Sequence, residues 1–74
     1  MYVDFSIPVP EDLPEYVQEE INELDEYYRN DDLMYMVIED AAYAHIKNCY
    51  AEKIITAEEW SSLRRRFGWE IFQN

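Results

Sequence analysis

Seventy-four residues carrying seventeen Asp or Glu against six Lys or Arg leave a net charge of -11, which disfavours direct binding to nucleic acid because phosphate would meet its own sign. A chain of this size is one small domain with a thin core, burying only about 60% of its unfolded surface. Its apolar share of 49% argues against an acidic disordered tail, and its single glycine argues against a many-stranded sandwich or barrel.

In chain order, residues 1–10 come first and read as an extended arm. Val3, Phe5, Ile7 and Val9 alternate with Asp4 and Ser6, the period of a half-buried strand. Pro8 and Pro10 cannot donate ladder hydrogen bonds, so the segment ends there or lies at an edge. The arm either folds onto its own core or pairs with a partner's sheet edge.

An acidic helix is expected over residues 13–28. Asp12 is placed to cap it, and Pro14 suits a first turn because its missing N–H would find no helical partner anyway. Val17, Ile21, Leu24 and Tyr28 recur at helical spacing and make one apolar stripe. Asn30, Asp31 and Asp32 then end the helix, because their short side chains compete for backbone hydrogen bonds.

A central helix follows over residues 32–51. Met34, Val37, Ile38, Ala41, His45, Ile46 and Cys49 spread wider than one stripe, which calls for neighbours on more than one side. Ala41, Ala42 and Ala44 leave room for another helix to come close.

The C-terminal helix, residues 57–67, has the sharpest boundary. Thr56 and Glu59 form a capping box, and Ile55 and Trp60 are spaced as a hydrophobic staple. Arg64, Arg65 and Arg66 complement the macrodipole in the last turn, and Gly68 suits the position after the helix. Trp60, Leu63 and Phe67 form its inner face. Residues 69–72 either dock on the core or pair with the arm. Short connections make the expected fold mainly α: one domain, a compact antiparallel three-helix arrangement with an extended N-terminal arm, and room for a small two-stranded patch from the chain ends.

Signatures of catalysis are scarce. One glycine cannot build a phosphate-cradling loop. His45 is the only histidine and Cys49 the only cysteine, four residues apart on one helix, and structural zinc needs four ligands. Both read as ordinary core or boundary residues. Glu19, Glu20, Glu23 and Asp31 could share a divalent ion, yet carboxylates on an exposed helix face stay solvated. Ser61 and Ser62 have no histidine near them in sequence. The expectation is therefore no enzyme, no metal and no cofactor. The lone cysteine fits a reducing compartment, and no leader pattern or long apolar run is evident, so a cytoplasmic protein without membrane contact is expected.

The charge is unevenly distributed. Residues 1–45 carry thirteen acids and one base, whereas residues 46–74 carry four acids and five bases. Ten of the acids fall between Glu11 and Asp32. A continuous helix over that stretch would run roughly 33 Å, or about one carboxylate per 3.3 Å, against one phosphate per about 3.4 Å along a DNA strand. Such crowding costs stability through self-repulsion. This pattern points to a partner with a basic surface, one that normally holds nucleic acid, contacted by Glu15, Glu19, Glu20, Glu23, Glu26, Tyr27, Asp31 and Asp32. Small acidic inhibitors of defence nucleases from phages and mobile elements, such as anti-restriction and anti-CRISPR proteins, are similar in composition. Two expectations compete with it. The acidic face could serve solubility alone, or the chain could be a structural or regulatory domain that forms a homodimer through Tyr35, Met36, Trp69 or Phe72.

Overall fold

Helices α1 (Glu15–Arg29), α2 (Tyr35–Ala51) and α3 (Ala57–Arg66) make up the computed structural model, which describes residues 2–69 and contains no strand among them. The radius of gyration is 11.4 Å, matching the ~11 Å of a folded domain of this length. The acidic chain is thus fully collapsed despite its self-repulsion.

Helix α1 begins two residues later than the sequence suggests. Pro14 occupies the cap position with ψ 147°, outside the helix, and no side chain caps the first turn. Asp12 is exposed and leaves that turn to backbone and Gln18: Val17 and Gln18 N–H both donate to Pro14 O at 3.0 Å, and Gln18 Nε2 donates to Leu13 O at 2.8 Å. Val17, Ile21 and Leu24 are fully buried, as their spacing requires.

The break falls where Asn30, Asp31 and Asp32 place it. Asp31 adopts φ 52°, a left-handed conformation that Asp tolerates better than most residues. Asp32 Oδ1 accepts from Met34 N–H at 2.9 Å, and Asp32 O accepts from Tyr35 N–H at 3.0 Å. That side-chain turn holds residues 32–34 outside the helix, so α2 starts at Tyr35 rather than at residue 32.

Helix α2 buries only part of the surface expected, Ile46 and Cys49 with Ile38 half-buried against the core, and adds Tyr35 and Ala42 to it. Tyr35, Ala42, Ile46 and Cys49 are buried, whereas Met34, Val37, Ala41 and His45 are exposed. Apolar residues surround much of this helix, so its periodicity alone does not pick the covered side. Aromatic packing chooses: the Tyr35 ring lies edge-on to Tyr28 of α1, centroids 5.6 Å apart.

Helix α3 carries its capping box in full, with Glu59 N–H donating to Thr56 Oγ1 at 3.1 Å and Thr56 N–H to Glu59 Oε1 at 2.7 Å. Trp60, Leu63 and Phe67 are buried, and Trp60, Phe67 and Trp69 pack together with Tyr43 in one aromatic cluster. Gly68 has φ +72°, and a Cβ there would stand 2.9 Å from the Tyr2 ring. Backbone conformation and close approach therefore both require glycine.

The alternating N-terminal segment is not a strand. Asp4 Oδ1 accepts from Ser6 N–H and Ser6 Oγ, and Ile7 N–H donates to Asp4 O. This turn outcompetes extension, leaving Val3 buried and Phe5 43% exposed. The segment is tied to α3 instead: Asp4 N–H donates to Arg66 O at 2.7 Å, and Arg66 Nη1 donates to Ile7 O at 2.6 Å. Of the two-stranded patch, residues 2–10 supply no strand, and residues 70–72 lie outside the described part.

Candidate functional site

The inner stripe of α1 decides what its other side can be. With Val17, Ile21 and Leu24 turned to the core, the opposite side at 100° per residue carries Glu15, Glu19, Glu23 and Glu26. All four are exposed. Spaced by four, four and three residues, they form a single row roughly 16 Å long.

The other residues expected at the site are arranged differently. Glu20 is half-buried on the flank of α1, where it meets His45 Nδ1 of α2. His45 also stacks on Tyr16, centroids 5.5 Å apart, so this trio joins α1 to α2. Tyr27 is half-buried and packs against the core rather than standing in the row. Asp31 is exposed beyond the helix end, and one oxygen of Asp32 is engaged by Met34 N–H.

A phosphate-like spacing is not met. Helix α1 covers fifteen residues, not the whole stretch from Glu11 to Asp32, and its row places successive carboxylates about 5 Å apart along the axis. Pro14 and the turn at Asp31 interrupt the continuous helix that the closer spacing needed.

Asp25 leaves the acidic surface altogether. It is buried, and its Oδ2 accepts from Arg66 Nη2 at 2.7 Å, with both side chains under a tenth exposed. Asp25 Oδ1 and Arg66 Nε have no hydrogen-bond partner, so the pair is incompletely satisfied. Arg66 stands in the last turn of α3 beside Arg64 and Arg65, as the sequence suggests, and serves in addition as the internal counterion of α1. The only sequence sign of this pairing is that Asp25 directly follows Leu24, at the edge of the apolar stripe.

The remaining cations do not neutralise the outer row. Arg29 lies over Phe5, Arg64 over Trp60 and Lys47 over Tyr43, and Arg65 reaches back to Ser61 O. Among the described residues, Arg66–Asp25 is a salt bridge and His45–Glu20 a hydrogen-bonded pair. Glu15, Glu19, Glu23 and Glu26 face water and belong to neither pair.

Two other polar clusters stand apart from the row. Asp4 is held below the usual carboxylate range by the Ser6 hydroxyl and then by the Ser6 N–H. Glu39 Oε2 accepts from Tyr35 OH and Trp69 Nε1, both at 3.3 Å. Burial pushes Glu39 up, against the pull of those hydrogen bonds, and burial pushes the Tyr35 hydroxyl up as well.

An open groove of about 540 Å³ lies between residues 8–12 and the start of α3, where Pro8, Pro10, Glu11, Thr56 and Glu58 line it. Thr56 is engaged in its cap and no histidine lines the groove. No group of three or more His, Cys, Asp or Glu among the described residues is arranged to hold a metal ion, and no described helix is long and apolar enough to cross a membrane. Comparison with protein-family models, curated proteins and solved structures finds no match.

Proposed function

We propose that this chain is a non-enzymatic binding protein whose acidic α1 face occupies a basic surface of a partner protein. One observation carries the reading: Glu15, Glu19, Glu23 and Glu26 stand in one exposed row, with no cation of the described chain paired to them. Such a row attracts a positive surface over long range, so association is fast and weakens with salt. A surface that normally holds nucleic acid is the kind of positive surface this row would compete for. The competition rests on charge and not on matched phosphate spacing. The likeness in composition to phage and mobile-element inhibitors of nucleases supports the same reading, under which the chain acts in the cytoplasm.

The test compares the native chain with a variant carrying Glu→Gln at positions 15, 19, 23 and 26. Immobilised native chain should retain lysate proteins that elute with added salt and with duplex DNA. The variant should retain none of them while keeping its helical circular dichroism. Equal capture by both chains, or captured proteins that DNA fails to displace, would sink the proposal.

A further inference from the structure

The outward face of α2 has a chemistry opposite to that of α1. Leu33, just before the helix, is 92% exposed, Met36 64% and Val37 60%. Ala44 and Ala51 continue along the same outward side, with Asn48 and Ala41 toward its edge, all exposed. In a chain of net charge -11, the charges on this side are one Asp40 and one Lys47. Solubility alone gives no reason to keep a helix face so free of acid, whereas interface cores are depleted of charge and enriched in Met.

Asp40 and Lys47 are seven residues apart, about 10 Å along the axis and near the same angular position. They are too far apart to pair within one helix, and neither has an ion-pair partner among the described residues. An antiparallel second copy of α2, related by a two-fold axis beside Ala44, sets Asp40 of each copy opposite Lys47 of the other. The face is thus self-complementary in charge, which is what a two-fold interface demands. The same operation brings Leu33 and Met36 of one copy toward the C-terminal end of the other, where Ala51 and Ile54 are exposed. Ala44 falls near the centre, where a small side chain lets the helix axes approach.

We propose that the outward face of α2 is a homodimer interface in which two α2 helices pack antiparallel about Ala44, leaving the acidic rows of α1 available. A standard interface engages about 20–30 residues a side, and this face offers fewer, so the dimer is reversible and concentration-dependent. It stands independently of the proposed function, and its salt response separates the two: apolar burial keeps the dimer intact in high salt, where capture by the acidic row is lost.

Sedimentation velocity over micromolar to millimolar chain tests it. The native chain should shift from monomer to dimer. Ala44→Glu, which suits a helix and so preserves the fold by circular dichroism, should remain monomeric. D40K and K47D should each weaken the dimer roughly tenfold or more by placing like charges opposite one another. For D40K this happens although its lower net charge would favour association. An equimolar mixture of the two single variants, or the double variant D40K/K47D, should restore it. A native chain that stays monomeric throughout overturns the proposal and leaves this face to a different protein. Dimers untouched by Ala44→Glu, or single variants that dimerise as well as their mixture, overturn it too.

Discussion

Helices α1 and α2 lie side by side, yet their outward faces follow opposite rules. On α1 the inner side is apolar and the outer side acidic, so water holds one face and the core the other. On α2 the covered side is apolar, and the uncovered side sets Met36, Val37 and alanines around one Asp40 and one Lys47. The acidic face repels copies of itself and attracts cations, while the α2 face is nearly neutral and gains by being covered. A small domain can thus present two contact surfaces with different selectivity, because charge is screened by salt and apolar burial is not.

Arg66, the cation that ties α1 into the core, is the most sensitive point of that arrangement. Arg66→Met leaves Asp25 buried without its partner, and should cost about 3–5 kcal/mol, read from urea unfolding. Replacing both partners, with Asp25→Leu beside Arg66→Met, should recover part of that loss but not all, because Ile7 O also loses its donor. Equal stability in the single variant and the native chain would show that α1 does not depend on its internal counterion.

Thr56→Ala provides the contrast of a change that touches neither outward face. Loss of the capping hydrogen bond should cost about 1 kcal/mol, seen as a lower Tm, with partner capture and self-association unaltered. A change in either would mean that α3 shapes the faces as well as supporting them.

A smaller effect is expected from removing charge on the outer row. The fourfold Glu→Gln variant relieves repulsion between neighbours three and four residues apart, so its Tm should rise by a few degrees at low salt. The gain should vanish at high salt, where native repulsion is screened. A gain that persists in salt would point to helix propensity or packing instead of charge.

The smallest effect concerns Glu39, the half-buried acid of α2. Its folded pKa is raised, chiefly by burial. Its favourable contribution is therefore fully present below the ordinary carboxylate value of 4.5 and is lost as pH rises through the raised value. Glu39→Gln keeps an acceptor for Tyr35 and Trp69 without the charge. It should flatten stability over that pH window and raise Tm slightly at neutral pH. An unchanged pH profile would assign the dependence to other carboxylates.

Much of the α1 site was legible in the sequence because acid and apolar residues segregate there at helical spacing. Glu15, Glu19, Glu23 and Glu26 are exposed because Val17, Ile21 and Leu24 must be buried. Glu20 and Tyr27 were less legible: both lie on the flanks of the stripe, where the neighbouring helix decides what they touch. Asp25 was hidden most completely, since its partner is 41 residues away and no local pattern announces a buried pair.

Three helices, the break at Asn30, Asp31 and Asp32, the Thr56–Glu59 capping box and a glycine suited to the position after α3 were legible from local sequence. Each follows from hydrogen bonds or periodicity within a few residues, where the chain has little choice. The tertiary structure alone decided which side of α2 is covered, that Asp4 and Ser6 turn the N-terminal segment back, and that Arg66 belongs to Asp25. Those outcomes depend on competition between distant groups for the same small core, and that competition is settled only when the helices pack.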